Sequence, residues 1–140
     1  MRLAAIEDVE LISRWLHRFQ VEAVPYEPLD PNTVQRDAER RARQEATFFW
    51  ETEGHPVSMA SLARPSRRGI TINAVYTPPE LRRRGYASAL VAAVSNEGLK
   101  RGKDFCPLYT DISNPVSNSI YRKIGYTLVS HSNNYRFSYC

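Results

Sequence analysis

The residues best equipped for chemistry cluster between Val75 and Ser88. Arg82, Arg83 and Arg84 precede Gly85, and Tyr86, Ala87 and Ser88 follow it. Ahead of them, Ile70-Thr71-Ile72-Asn73-Ala74-Val75-Tyr76 is rich in β-branched and aromatic residues and ends at Thr77-Pro78-Pro79, as a strand does at a turn. Behind them, Ala87, Leu90, Val91 and Val94 fall on one stripe of an amphipathic helix. A strand–loop–helix junction of this kind captures anions. The first N–H groups of the helix lack intrahelical partners and carry the positive end of its dipole. Gly85 and the small Ala87 let a phosphate approach those groups, and the arginines add charge. The plainer reading of R-x-x-G-x-A is a surface turn with a solvated basic cluster, and these residues alone leave it open. The chain contains neither G-x-x-x-x-G-K-[ST] nor G-x-G-x-x-G.

A second constellation runs from Asn114 to Tyr126. Asn114 suits an N-cap, Pro115 the first helical position and Gly125 the left-handed position after a helix. Val116, Ile120 and Ile124 make an apolar stripe, while Asn114, Ser117 or Asn118, and Tyr121 share another face. Taken alone, this is an ordinary surface helix.

Composition narrows the field. The 140 residues suggest one domain, and 42% hydrophobic with 24% charged residues is ordinary for a globular protein. A net charge of +4 fits a polyanionic small ligand as well as nucleic acid. Cys106 and Cys140 form no disulfide framework, and with His17, His55 and His131 scattered, no metal-ligand spacing appears. The opening residues do not read as a signal peptide and no span reaches membrane length, so the expectation is a cytoplasmic protein without a metal.

These residues need elements to hold them. Met1-Arg2-Leu3 reads as a short opening strand or the remnant of one. Glu7 to Phe19 reads as a helix with Val9, Ile12, Leu16 and Phe19 inward, and Val21 to Leu29 as a loop. Asp30-Pro31 opens a second helix to about Glu45, its alternating arginines and carboxylates forming a salt-bridged solvent face. Strands are expected at Thr47–Glu51, Val57–Leu62 and Ile70–Tyr76, connected as an antiparallel meander. The helix after Gly85 ends near Gly102 and crosses over to a parallel strand at Phe105–Ile112. Thr127–Ser132 and Tyr135–Tyr139 finish as a hairpin.

Arg82-Arg83-Arg84-Gly85-Tyr86-Ala87 resembles the [QR]-x-x-G-x-[GA] signature of the GNAT superfamily of acyl-CoA-dependent N-acetyltransferases. Asn114, Ser117, Ile120, Tyr121, Ile124, Gly125 and Tyr126 meet each fixed position of that family's N-x-x-[AS]-x-x-[LI]-Y-x-x-[LIM]-G-[FY] pattern. The likeness spans nearly the whole chain, residues 70 to 126 carrying most of it. It implies an α/β (α+β) fold: a mixed, mostly antiparallel sheet of six to seven strands flanked by about four helices, in three layers. The short first strand departs from the family, as though this domain, residues 1 to 140, were the C-terminal part of a longer protein.

The resemblance further implies direct acetyl transfer from acetyl-CoA to an amine. Val75, Tyr76 and Thr77 would pair with the pantetheine arm, an amide near Val75 or Tyr76 polarising the thioester. The amides of Arg83 to Ser88, with Arg82, would hold the pyrophosphate. Asn114 and Asn118 would bind the cofactor's amides, and Tyr121 would protonate the leaving thiolate. Tyr26 and Glu27 are candidates for the acceptor pocket. Among Glu51, Glu53, Glu80 and Asp111, Glu51 is the favoured general base. The partners implied are an acyl donor and an amine acceptor, with the chain a monomer or homodimer. A non-catalytic acyl-CoA sensor and a nucleic-acid-binding domain built on the arginines are the alternatives; the second lacks a recognition-helix pattern.

Overall fold

The computed structural model describes residues 1–23, 30–111, 127–130 and 134–139. The helix expected over Asn114–Gly125 and the candidates Tyr26 and Glu27 lie outside them. Strands β1 (Arg2–Leu3), β2 (Thr47–Thr52), β3 (His55–Ala63), β4 (Thr71–Tyr76), β5 (Cys106–Asp111), β6 (Thr127–Ser130) and β7 (Asn134–Tyr139) form one sheet, in the order β1-β2-β3-β4-β5-β7-β6. All neighbours are antiparallel except β4 and β5. That one parallel pair is what the helical crossover between them requires. The opening strand is real though short, with Arg2 opposite Phe49 and Leu3 opposite Phe48.

Helix α1 (Val9–Ala23) follows a 3₁₀ turn at Ile6–Asp8. The Asp8 carboxylate closes that turn by accepting the Ala5 N–H at 2.8 Å, and it also holds Arg2 at 2.9 Å. The helix runs a full turn past Phe19, where the sequence suggested a loop. No helix breaker occurs before Pro25, whose ring disfavours helical backbone only at the residue in front of it. Helix α2 (Pro31–Arg43) begins as expected, Asp30 accepting the Asn32 N–H at 3.0 Å with Pro31 at the first position. Its charged face is partly salt-bridged, Asp37 holding Arg40 and Arg41. Arg41 also reaches inward to Asn73 Oδ1, 3.0 Å away on β4.

Helix α3 (Tyr86–Lys100) covers the opposite face. The pleat sends Phe48, Ala60, Leu62, Ile70 and Ile72 to pack with Leu90, Val91, Val94 and Cys106 on the α3 side. Phe49 and Met59 point the other way and pack with Ile12, Trp15 and Leu16 of α1 and Val34, Ala38 and Ala42 of α2. This yields three layers. The α3 layer seats closely because residue 98 is glycine: a Cβ there would come within 2.5 Å of Cys106 Sγ.

Candidate functional site

The site is built by one irregularity in β4. Met59 lies opposite Tyr76 and Ser61 opposite Asn73, so two steps along β3 match three along β4. The additional residue is a β-bulge centred on Ala74, whose φ of +51° lies in the left-handed region. The bulge shifts the alternation of the strand. Ile70 and Ile72 face α3, and strict period two would send Ala74 and Tyr76 there as well. They instead join the α1/α2 core, while Val75 packs on the α3 side.

Near the same point the sheet opens on its other side. Pairing between β4 and β5 is recorded at Ile72 and Leu108, preceded by a bridge between Gly69 and Phe105. Past Ile72, β4 continues to Tyr76 while β5 pairs on its other edge with β7 as far as Asp111. The strands part where β4 approaches its loop, leaving the β5-facing edge of Val75 to Thr77 free of strand pairing among the described residues. Two short side chains fix this end: Ser58 Oγ donates to the Tyr76 carbonyl at 3.2 Å and shares a hydrogen bond with Thr77 Oγ1 at 2.8 Å.

A 3₁₀ turn at Pro79–Leu81 leads into the basic loop. Positive φ at Arg83 (65°) and Gly85 (82°) flanks Arg84, which is not in that region. Alternation of this kind is the backbone pattern from which anion-binding nests are made. Gly85 then stands at the N-cap of α3 without a side chain to cap it, its carbonyl accepting the Ala89 N–H at 3.0 Å. The first-turn amides of Tyr86, Ala87 and Ser88 are therefore left to a ligand or to water. Nothing lies within 4 Å of where a Gly85 Cβ would stand, so the glycine is needed for its φ rather than for room inside the protein.

Arg82, Arg83 and Arg84 are exposed but differ in their partners. Arg82 Nε donates to the Thr77 carbonyl at 2.8 Å, and one of its terminal nitrogens lies 2.9 and 2.7 Å from the two carboxylate oxygens of Glu22. Its guanidinium lies over the Tyr76 ring, 5.7 Å from the centroid. Arg84 makes one long contact, 3.4 Å, to the Glu80 carbonyl.

Beside this loop lies a cleft of about 540 Å³ lined by His17, Arg18, Val21, Glu22, Tyr76, Pro79 and Glu80. Tyr76 is 3% exposed, and no group among the described residues lies within hydrogen-bond geometry of its buried hydroxyl, Arg18 being a polar neighbour that bears on it. Burial, reinforced by nearby Glu22, raises the pKa of that hydroxyl, with Arg18 and Arg82 opposing. Glu80 lines the cleft, whereas Glu51 sits near the outer edge of the sheet with its carboxylate held by Arg2 Nε at 3.0 Å. Glu53 occupies the β2–β3 turn. Cys106 is fully buried, and burial raises its thiol pKa, the opposite of an activated nucleophile. No group of His, Cys, Asp and Glu among the described residues could hold a metal, and no described helix is long and apolar enough to cross a membrane.

The structure thus brings Val75, Tyr76, Thr77, the arginine loop and the start of α3 together, and leaves Glu51 aside. Asn114, Asn118 and Tyr121 lie outside the described residues. Sequence reasoning missed Ser58, Glu22 and the Ala74 bulge. A serine within a strand and a glutamate in a helix carry no distinguishing signal, and a bulge built on alanine lacks the glycine that would have announced it.

Comparison with known proteins agrees with this architecture. No curated protein matches the sequence. Among solved structures, the chain is similar to the PaiA N-acetyltransferase from Thermoplasma acidophilum in complex with coenzyme A (16% identity, 99% of this chain and 96% of that chain, TM-score 0.72). It is similar also to a ribosomal-protein-alanine N-acetyltransferase from Brucella melitensis (18%, 98% and 95%, 0.78). A third likeness is to a spermidine N-acetyltransferase chimera of SpeG from Vibrio cholerae and hSSAT (15%, 99% and 94%, 0.76). At these identities the likeness is one of fold. The family model for the acetyltransferase (GNAT) family matches residues 9–126, and the chain belongs to that family.

Proposed function

We propose that this chain transfers an acetyl group from acetyl-CoA to a primary amine, directly within a ternary complex. The observation that carries the reading is the parting of β4 from β5 after Ile72, immediately ahead of a basic loop with left-handed φ at Arg83 and Gly85. A strand edge free of pairing suits an extended amide-bearing arm, and a loop of this backbone pattern suits a pyrophosphate. Coenzyme A offers both, and it is bound in the PaiA neighbour.

In this reading the β4 edge from Val75 to Thr77 binds the pantetheine, and an N–H near Val75 or Tyr76 stabilises the developing oxyanion. The amides of Arg83 to Ser88 hold the pyrophosphate, with Arg83 and Arg84 contributing charge. Asn114 and Asn118 bind cofactor amides, and Tyr121 gives its proton to the departing thiolate. Glu51 or Glu80 removes the proton from the arriving ammonium through water. Glu80 has the better position, because it lines the cleft beside Tyr76 while Arg2 holds Glu51.

Titration calorimetry with acetyl-CoA tests the donor half. One-to-one micromolar binding is expected, and it should be lost in Gly85→Glu, which places a carboxylate and a strained φ in the loop. An intact chain without affinity for acetyl-CoA overturns the reading. Tyr121→Phe should bind acetyl-CoA normally and release thiol about 10²- to 10⁴-fold more slowly, the usual worth of general-acid help. Undiminished turnover removes Tyr121 from the mechanism.

A further inference from the structure

Arg82 opens the basic loop, and its sequence position invites the role of a phosphate ligand. Its hydrogen bonds point elsewhere. Nε is committed to the Thr77 carbonyl at the end of β4, and a terminal nitrogen lies between the oxygens of Glu22, sixty residues away in the last turn of α1. The flat face of the guanidinium covers Tyr76. Three elements therefore meet on one side chain: the end of β4, the cofactor loop and the end of α1. Arg83 and Arg84 have no ion-pair partner among the described residues.

We infer that Arg82 is a positioning residue, and that the Glu22–Arg82–Thr77 brace sets the affinity of the loop for coenzyme A by fixing its path. The inference rests on the reading of this loop as the pyrophosphate site. The geometry requires a fork. Arg82 donates to Thr77 and to Glu22 from different nitrogens, which a lysine ammonium at the end of a flexible stem cannot reproduce at both places. The carboxylate also cancels the charge of Arg82, so the pair attracts a polyphosphate only weakly at a distance.

These features give the brace a signature opposite in sign to that of a ligand. If Arg82 gripped phosphate, Glu22 would compete with it, and Glu22→Gln would tighten binding. As a brace, it weakens when Glu22 is neutralised. Calorimetry with coenzyme A as the probe, well below the melting temperature, separates the two. Glu22→Gln and Arg82→Gln should each raise Kd about fivefold, the scale set by one exposed arginine–carboxylate pair of good geometry. The double variant should be no worse than either single one, since both break one unit. Arg82→Lys should be as weak as Arg82→Gln. Melting curves confirm that each variant is folded at the titration temperature.

Tighter or unchanged binding in Glu22→Gln overturns the brace, as does near-normal binding in Arg82→Lys, which would mean that charge alone matters. These failures leave the cofactor site standing. Absence of binding by the unaltered chain defeats the cofactor site itself, and the brace with it.

Discussion

The two faces of the sheet are built from the same strands but to different ends. On the α3 face, Phe48, Leu62, Ile72, Leu90, Val91 and Val94 make an apolar layer, with the Arg101 guanidinium over the Phe48 ring at 5.6 Å. The α1/α2 face has Trp15 at 5.8 Å from Phe49 and 5.9 Å from Tyr76 between ring centroids. It carries guanidinium groups over two of those rings, Arg2 on Phe49 and Arg82 on Tyr76, and a buried hydroxyl without a hydrogen-bond partner among the described residues. Both faces bury an apolar core, and the α1/α2 side also carries the cleft. The Ala74 bulge is what allocates Tyr76 to the second.

If the division is sound, damage to the α3 face should reduce stability and leave ligand affinity alone. Leu90 is fully buried, and Leu90→Ala should cost about 2–5 kcal/mol in urea unfolding with an unchanged slope. The acetyl-CoA Kd of the fraction that remains folded should stay within twofold; a tenfold change would show that the faces are not separable. Gly98→Ala drives a methyl into Cys106 and should cost about 1–3 kcal/mol despite alanine's better helix propensity.

On the other face the expected sign reverses. Tyr76→Phe removes a buried hydroxyl without a hydrogen-bond partner among the described residues, and should raise stability by about 1 kcal/mol. A loss on thermal melting would mean that the hydroxyl already has a partner in solution. The smallest effect concerns Asp8. Its hydrogen bonds with Arg2 hold the carboxyl below the usual carboxylate range, burial opposing and the Ala5 N–H assisting. The folded pKa is thus below the unfolded one, near 3.9. The stabilisation is present above about pH 4 and lost as pH falls through the folded value. Asp8→Asn should lower stability at pH 7 by about 1 kcal/mol or less and flatten the acid limb of the stability curve.

The same contrast shows what the sequence made legible. The strand runs Thr47–Glu51 and Val57–Leu62, the cap at Asp30-Pro31 and the stripe after Gly85 are local patterns, and each appears in the structure with its expected element, though Val57 to Leu62 is buried throughout rather than on alternate residues. The turn at Gly85 was equally readable, because a left-handed φ beside a helix start favours glycine. Features that depend on distant partners were not. Tyr76 reads as the next inward residue after Ile70 and Ile72, and only the bulge reverses it. Glu51 reads as a free carboxylate until β1 brings Arg2 against it. Arg82 reads as one of three equivalent arginines until α1 supplies Glu22.

The proposed site lays acetyl-CoA along β4 beyond the Ala74 bulge and against the basic loop. Hydrogen exchange of backbone amides, with and without acetyl-CoA, tests it most directly. Protection should rise from Val75 to Thr77 and from Arg83 to Ser88, while the amides of β2 and the α3 interior change little. Protection confined to α1 around His17 and Arg18, with β4 and the loop unaffected, would contradict it.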